Sequence, residues 1–477
     1  MVGDDGPFGK LFRDGKWVVA SVNSNPQASD TRFRESVCFN DQLQVISMRL
    51  LLSILFPFVL ISQLAAYQPM VYKSGYSDKL LFPSKAPDRI ILNLTETPET
   101  AVAVTWRTDT TVDAGFVEVV EASPTPDYPA QSRRVDATMQ KLTVMGNSEP
   151  EIEAHYFSAV MDGLEPGKKY TYRVGDGEWW SEWLQFNTTN MEGDGLSLLY
   201  FGDAQNDIKS MWSRVIREAF RSYPDIGFML HAGDLVNLPN SDLEWGQWHE
   251  AGGFLHAMVP SMMTPGNHEY TRNPVSLSKQ WRPGFSLPHN GVPGLEETCY
   301  YVDFPYAKVV SLDSQIMISS EKYLTEQEAW LEELLGKNEK KWVIVTMHHP
   351  VYSTAPNRDN QQIRDALKAI FDKYGVDLVL QGHDHAYGRG DTKNLSTGVT
   401  MRDGEVGPIY VVSVSGPKQY KNDNAQWMSV SGQDLQLFQY IKILDDTLIY
   451  KAFTADAELY DQFELRKSTG GTNRIIE

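Results

Sequence analysis

The chain has 477 residues, of which 42% are hydrophobic and 22% are charged. This length allows two to four domains, and the composition is typical of a folded protein, not of a disordered chain or a polytopic membrane protein. The 62 acidic residues against 43 basic ones give a formal net charge of −19, which excludes nucleic acid as a bulk partner because the overall field repels polyanions. Cys38 and Cys299 are too few for a disulfide framework or a cysteine zinc site, so a metal would need His, Asp or Asn ligands.

Residues 48–66, MRLLLSILFPFVLISQLAA, have the layout of a secretory signal peptide. One Arg precedes a largely apolar run over 50–61, and a pair of small residues follows. The run is too short to span a bilayer, which needs about 20 residues. We therefore predict a secreted or periplasmic protein without a stable membrane anchor, and we interpret residues 1–47 as a mis-assigned leader before a true start at Met48.

Residues 86–190 have the pattern of an all-β domain. Short β-branched and aromatic runs, among them RIILNLTE, AVAVTWRT, GFVEVVEA and KKYTYRVG, are separated by Pro, Gly and Asp turn signals. The segment LEPGKKYTYRV, with Tyr170 and Tyr172, resembles a turn and strand near the end of fibronectin type III domains. We predict a fibronectin type III-like sandwich that acts as a spacer, with a glycan-binding or protein-binding module as the alternative.

Residues 195–465 have the pattern of a layered α/β domain. Apolar strands such as LSLLYF, WVIVTM and VDLVLQ alternate with helical stretches over 207–222, 325–335 and 360–374. Functional residues of such domains lie just past the carboxyl ends of strands, and polar residues occupy those places here. They are Asp203, Gln205, Asp234, Asn237, Asn267, His268, His348, His383 and His385.

Carboxylates, amides and imidazoles of this kind are the ligands that a pair of divalent cations requires. A carboxylate can bridge two ions, and imidazoles and amide oxygens complete each coordination shell without adding charge. His383 and His385 are separated by one residue, so in an extended segment both rings face the same way. The pattern therefore predicts a dinuclear metal site.

The series GD, GDxx, GNHE, HxP and GHxH resembles that of the calcineurin-like metallophosphoesterases, and with a fibronectin-like amino-terminal domain it is similar to the purple acid phosphatases. The resemblance implies a layered α/β metallophosphoesterase domain in which a β-sandwich is flanked by helices. It implies the following ligands: Asp203 and His385 for the first metal, Asn267, His348 and His383 for the second, and Asp234 as the bridge. It also implies that His268 contacts the phosphoryl group and protonates the leaving oxygen.

Two positions of the first metal site depart from the family pattern. Asn237 stands where purple acid phosphatases have the tyrosinate that binds ferric iron, and Gln205 stands where other metallophosphoesterases have a His. An amide oxygen of either residue could replace the missing ligand as a neutral donor. Because the first metal then has less negative charge around it, we expect two divalent ions, Zn²⁺, Mn²⁺ or Fe²⁺, in place of a ferric ion.

The resemblance implies an exported acid phosphatase-like enzyme that hydrolyses small phosphomonoesters. With two divalent ions held by these residues, the expected reaction would be an in-line attack on phosphorus by a hydroxide that the metals activate, in a single displacement. Asn267, His268 and Arg358 are the candidate contacts to the substrate phosphate. Two alternatives stay open: a phosphodiesterase or nucleotide hydrolase that uses the same site, and a metal-depleted surface binding protein.

Overall fold

The computed structural model describes residues 10–13, 16–19, 79–146, 149–190, 195–391, 405–422, 427–468 and 472–477. The chain divides into two compact units, Met1–Gln68 and Pro69–Glu477. In the first unit, strands β1 (Lys10–Arg13) and β2 (Lys16–Val19) form an antiparallel hairpin. The predicted signal peptide over 48–66 and the rest of the predicted leader over 1–47 lie outside the described residues.

The amino-terminal part of the second unit is a β-sandwich, as its turn-separated apolar runs predict. Its strands are β3 (Asp88–Leu94), β4 (Val102–Thr108), β5 (Phe116–Glu121), β6 (Arg133–Asp136), β7 (Thr138–Met145), β8 (Glu151–Met161), β9 (Lys169–Gly175) and β10 (Leu184–Asn187). One sheet has the order β10-β9-β5-β6, and β3-β4-β8-β7 are neighbours in the other. Side chains of both sheets, including Trp106, Phe157 and Tyr172, form one buried cluster between them.

The following part of the chain alternates strands and helices. Its strands are β11 (Leu196–Phe201), β12 (Phe228–His231), β13 (Ser261–Met263), β14 (Tyr270–Arg272), β15 (Val275–Leu277), β16 (Tyr300–Asp303), β17 (Ala307–Leu312), β18 (Trp342–Met347), β19 (Leu378–Gln381), β20 (Tyr387–Gly390), β21 (Glu405–Val406), β22 (Ile409–Val412), β23 (Val430–Gly432), β24 (Leu437–Ile443), β25 (Thr447–Thr454), β26 (Leu459–Lys467) and β27 (Asn473–Ile476). Its α-helices are Ser213–Ser222, Asp242–Gly252, Trp281–Gly284, Ser314–Ser319, Glu321–Gly336 and Gln361–Tyr374. Among the described residues, no helix combines the length and the apolar character that crossing a membrane requires.

Two sheets pack against each other in this layered domain. The strands β16-β17-β18-β19-β22-β20-β23 form one sheet, and β11, β12 and β13 belong to the other. Leu198 of β11 and Ile344 of β18 lie in the same buried cluster, between the sheets. The next residue along β18, Val345, points to the opposite face and packs with Leu367 of the helix Gln361–Tyr374. The result is a β-sandwich flanked by helices, which confirms the predicted fold class.

The amino-terminal sandwich and the layered domain share a continuous sheet. Its 12 strands run in the order β21-β27-β26-β25-β24-β11-β12-β13-β3-β4-β8-β7. At the junction β13 pairs with β3 in parallel, with Ser261 opposite Asn93, and Asn93 Nδ2 donates to Ser261 O at 3.2 Å. The hydroxyl of Tyr172 donates to Ala257 O at 2.6 Å on the same boundary. The sequence predicted two domains but not this sheet between them.

Candidate metal centre

The candidate ligands converge because they follow strands that run in the same direction. Strands β11, β12 and β13 are parallel, as are β17, β18 and β19 of the facing sheet. Their carboxyl ends meet at one edge of the layered domain. The main chain connects the loops there, since His383 N donates to Asp203 Oδ1 at 2.8 Å and Ala204 N donates to Asp234 O at 3.1 Å.

The carboxylates and imidazoles form two groups with one member in common. Asp203, Asp234 and His385 present ligand atoms within 4.8 Å of one another, and Asp234, His348 and His383 do the same. His385 Nε2 lies 3.1 Å from Asp203 Oδ2, and His348 Nε2 lies 3.2 Å from Asp234 Oδ2. Asp234 therefore occupies the place of a bridging carboxylate between two adjacent sites.

Asn267 joins the second group. Its Oδ1 lies 3.2 Å from His348 Nε2, and His383 Nδ1 lies 3.2 Å from the same nitrogen. All three residues that the resemblance assigned to the second metal thus meet at His348 Nε2.

The two amides of the first site have different surroundings. Gln205 Nε2 donates to Asp234 Oδ2 at 2.9 Å and lies 3.1 Å from His385 Nε2, so its side chain touches two members of the first group. Asn237 Oδ1 instead accepts a hydrogen bond from Asn206 Nδ2 at 3.3 Å. Of the two alternatives that the sequence left open, Gln205 is the one in contact with the candidate ligands.

The donor atoms fit a pair of cations. His348 Nδ1 donates to Ala232 O at 2.9 Å, which leaves its Nε2 without a proton in the neutral ring, yet that nitrogen faces Asp234 Oδ2 and Asn267 Oδ1, which are acceptors. Within the described part of the chain, Asp203 Oδ2 and Gln205 Oε1 are buried without a hydrogen-bond partner. Lone pairs that face one another in a buried site require a positive charge between them.

The electrostatics of the group also favour positive charge. Burial alone would lower the pKa of His348, but the carboxylates of Asp234 and Asp203 raise that pKa to about 10. Burial alone would raise the pKa of Asp234. The neighbouring His348, His268 and His383 outweigh burial and hold this pKa below its ordinary value. The two carboxylates thus create a negative potential where the imidazole nitrogens converge, and this potential attracts cations.

His268 lies beside Asp234, and hydrogen bonds hold it at its main-chain N and at its ring Nδ1. Its main-chain N donates to Asp234 Oδ1 at 2.8 Å, and its Nδ1 donates to Asn237 O at 2.6 Å. Its Nε2 lies 4.0 Å from Asp234 Oδ2, and its side chain is 20% exposed. The ring therefore directs Nε2 toward the candidate metal centre from a position that solvent can reach.

Arg358, the third candidate contact to substrate, lies at the edge of this centre. Its Nη1 donates to Asp384 Oδ1 at 2.7 Å and to His383 O at 3.2 Å, and its side chain is 35% exposed. Asp384 is buried between the two histidines of the GHxH motif and also accepts from Thr354 N at 2.7 Å. The guanidinium is thus fixed next to the loop that carries His383.

Glu269 is a buried organising residue to which the sequence analysis assigned no role. Its carboxylate accepts hydrogen bonds from the main-chain N of Asp234, Leu235 and Gly266 at 2.7–2.8 Å. Burial and the neighbouring Asp234 raise its pKa to about 7. The only signal for it in the sequence is its place as the last residue of the GNHE motif.

His349 is a second residue of the centre that the sequence reasoning left without a role. Its ring centroid lies 4.3 Å from that of His383, and its Nδ1 lies 3.0 Å from Ser314 Oγ. No pattern in the sequence connects Ser314 with this position, because the two residues come together only when β17 and β18 pair.

Strained main-chain geometry occurs at two of the candidate ligands. Asp234 has a φ of 52° and His383 a φ of 71°, in the left-handed region that disfavours residues with a side chain. Gly266 lies so close to the bridging carboxylate that a Cβ there would be 2.3 Å from Asp234 Oδ1. The loops thus accept a conformational cost that brings the ligand atoms together.

Two family models match the two parts of this chain. Residues 87–188 match the model of the purple acid phosphatase N-terminal domain, and residues 196–387 match that of the calcineurin-like phosphoesterases. The chain is a purple acid phosphatase-like metallophosphoesterase. The resemblance, the fold class and the hydrolase class predicted from the sequence are confirmed.

Individual relatives support the same family. Acid phosphatase type 7 of Homo sapiens is 26% identical over 345 residues, which cover 67% of this chain and 74% of that protein. The Fe(3+)-Zn(2+) purple acid phosphatase 12 of Arabidopsis thaliana is 28% identical over 54% of this chain and 58% of its own length. Among solved structures, a purple acid phosphatase from yellow lupin (Lupinus luteus) seeds superposes with a TM-score of 0.66 at 19% identity, covering 81% of this chain and 75% of that one. That likeness shows the fold.

Proposed function

We propose that the protein is an exported phosphatase that hydrolyses phosphomonoesters with two divalent metal ions. The observation that carries this proposal is the sharing of Asp234 between two ligand groups, with His268 held beside it. Asp203, Asp234, His385 and Gln205 would hold the first ion, with Asn237 as the alternative amide ligand. Asp234, Asn267, His348 and His383 would hold the second.

The chemistry divides between the ions and the side chains. Bound at these sites, two divalent ions supply Lewis acidity, which makes water a stronger nucleophile and offsets negative charge on the phosphoryl group. Asn267, His268 and Arg358 orient the phosphate. Because Nδ1 of His268 donates to Asn237 O, its second proton is carried on Nε2, from where it is given to the departing oxygen. An imidazole suits this role because one ring nitrogen can give up a proton while the other keeps its hydrogen bond.

Two features favour monoesters over diesters. Arg358 adds a partly exposed positive charge beside the loop of His383, and a monoester dianion gains more from such a charge than a diester monoanion does. Relatives of this chain are named acid phosphatase type 7 and, in Allium cepa, phosphoenolpyruvate phosphatase. A metal-depleted binding protein is disfavoured because Asp234 and the histidine pair His383 and His385 are all present at the candidate centre.

We further propose the location and the domain limits that follow from the sequence pattern. The segment 48–66 would direct export and be removed, residues 86–190 would form the fibronectin-like domain, and residues 195–465 would form the catalytic domain. Mass spectrometry of the amino terminus of the protein from the medium or periplasm tests the first part. A mature chain that begins upstream of Met48 would contradict it.

Metal analysis combined with a substrate comparison tests the activity. We expect two equivalents of Zn, Mn or Fe per chain, loss of turnover on chelation, and recovery when a divalent ion is added back. We also expect kcat/KM to be at least about tenfold higher for p-nitrophenyl phosphate than for bis(p-nitrophenyl) phosphate, a difference of about 1.4 kcal/mol in transition-state binding. The reverse preference would favour the diesterase, and a metal-free chain without turnover would favour the binding protein.

A further inference from the structure

The orientation of His268 depends on one main-chain carbonyl. Nδ1 of its ring donates to Asn237 O at 2.6 Å, and this contact fixes the rotation of the ring about the Cβ–Cγ bond. Asn237 begins a loop over 237–241 that leads into the helix Asp242–Gly252. The direction in which Nε2 points therefore depends on the position of this loop.

A carboxylate of the following helix holds the start of the loop. Glu244 Oε2 accepts hydrogen bonds from Asn237 N at 2.6 Å and from Leu238 N at 2.8 Å. Ser241 is the N-cap of the helix, and its hydroxyl accepts from Glu244 N at 3.1 Å. Because Glu244 binds the amide of the same residue whose carbonyl binds His268, the peptide groups on both sides of Asn237 are held.

A second carboxylate, from the amino-terminal sandwich, holds the end of the loop. Glu149 lies between β7 and β8, and its Oε1 accepts from the hydroxyl of Ser241. Its Oε2 accepts from Asp242 N at 2.9 Å and from Leu243 N at 3.4 Å. A negative side chain is stabilising at this place because the first amides of a helix point outward with partial positive charge.

We propose that Glu244 and Glu149 are positioning residues for His268, so that the sandwich takes part in orienting the general acid. The proposal rests on the acid role of His268 in the proposed function. Release of either end of the loop moves the carbonyl of Asn237 and turns Nε2 away from the leaving oxygen. A misplacement of about 1 Å at a reacting group can cost on the order of a hundredfold in rate.

The test compares Glu244→Ala and Glu149→Ala with matched controls. Glu250→Ala changes a carboxylate of the same helix that pairs with Lys209, and Glu151→Ala changes an exposed carboxylate at the start of β8. Each protein is assayed with p-nitrophenyl phosphate, whose leaving group departs without a proton, and with an alkyl phosphate, whose leaving group requires one. Thermal unfolding is measured for every variant.

We expect kcat for the alkyl phosphate to fall about tenfold to a hundredfold in Glu244→Ala and Glu149→Ala, with less than about a threefold change for the nitrophenyl ester. The controls should retain the wild-type ratio of the two rates. Equal losses on both substrates in the two test variants, or no loss at all, would overturn the proposal. Asn237 N and Leu238 N both donate to Oε2 of Glu244, so Glu244→Gln, which keeps one acceptor oxygen, should retain most of the wild-type ratio of the two rates. If Glu244→Ala does not fold, Glu149→Ala carries the test.

Nuclear magnetic resonance of the protein labelled with ¹⁵N-histidine separates positioning from catalysis. The chain has 10 histidines, and the Nδ1–H signal of His268 is assigned by its loss in His268→Gln. We expect this signal to shift or broaden in Glu244→Ala and Glu149→Ala and to keep its wild-type position and width in the two controls. An unchanged signal in both test variants would overturn the positioning role. If His268→Ala slows both substrates equally, the acid role in the proposed function fails, while the ring signal still decides whether the two carboxylates hold His268.

Discussion

Asp234 is the side chain that the two candidate ligand groups share. It is 1% exposed and lies within 3.2 Å of His348 Nε2, while its second set of neighbours is Asp203 and His385. A neutral amide cannot attract two cations as strongly as a carboxylate does. Replacement of this side chain therefore affects both sites together, whereas replacement of a ligand of one site affects chiefly that site.

We expect Asp234→Asn to lower kcat by more than about a hundredfold. This loss is larger than the loss that is usual when a residue that only hydrogen-bonds to a metal ligand is changed. The metal content should fall at both sites, below one equivalent per chain. Elemental analysis and steady-state kinetics measure the two effects. Asp225→Asn, at an exposed position before β12, should leave both unchanged. Activity within tenfold of wild type would show that Asp234 is not the bridge.

The amides of Gln205 and Asn237 lead to a prediction about colour. Neither side chain carries the negative charge that stabilises a ferric ion, and Gln205 is the one that touches Asp234 and His385. We expect the purified protein to be colourless, with two divalent ions. Asn237→Tyr should increase the retention of ferric iron and introduce a visible absorption band, since a phenolate is a negative oxygen donor. Iron analysis and a visible spectrum measure this, and a strong band in the wild-type protein that disappears on reduction would contradict it.

The loops after β12 and β13 form one rigid element because Glu269 binds the main chain of both. Its carboxylate accepts from Asp234 N, Leu235 N and Gly266 N. The loop of Asp234 has left-handed geometry at the ligand itself, so these hydrogen bonds hold a conformation that the chain would otherwise avoid. Glu269 thus holds the loop of Asp234 and the loop of Asn267 together without being a member of either candidate ligand group.

We expect Glu269→Gln to weaken metal binding by about ten- to a hundredfold, as is usual when a partner that orients metal ligands is changed. The amide group of Gln would oppose one of the three donors, because it carries hydrogens where an acceptor is needed. Competition with a chelator measures the affinity, and Glu333→Gln, an exposed residue on the helix Glu321–Gly336, serves as the control. Unchanged affinity would assign Glu269 to fold stability alone.

The strand-end residues could be predicted from the sequence because strand ends and ligand types are both local patterns. Asp203 and His383 each come one glycine after the end of an apolar strand, and parallel strands bring such positions to one edge. Glu244 and Glu149 could not be predicted in this way. Their roles depend on contacts with residues 237 and 241, and the second contact joins positions 92 residues apart. Likewise, no periodic pattern within β3 indicates that its edge pairs with β13.

At the level of the whole molecule, a buried charge cluster reinforces the shared sheet. Asp242, at the start of the helix Asp242–Gly252, accepts from Arg89 Nη2 at 2.7 Å and from Arg107 Nη1 at 3.1 Å, and both arginines belong to the sandwich. The side chain of Asp242 is 2% exposed. Loss of one member of such a cluster leaves a buried charge without compensation, which is more costly than loss of an exposed ion pair. Because the sheet and the cluster both cross the domain boundary, the sandwich and the layered domain should unfold together.

We expect Asp242→Asn to lower the free energy of unfolding by about 3–5 kcal/mol, the usual cost of breaking a buried ion pair. Burial raises the pKa of Asp242, but Arg89 and Arg107 outweigh it and hold that pKa below its ordinary value. The contribution of this carboxylate to stability is therefore complete above the unfolded-state pKa of about 3.9 and is lost as the pH falls through the folded-state value. The stability difference between Asp242→Asn and wild type should be constant from pH 5 to pH 8 and shrink only in stronger acid. Asp136→Asn, an exposed change on β6, serves as the control.

Calorimetry tests whether the two domains unfold together. It should show one transition in wild type, and two separate transitions would mean that the domains are stable independently.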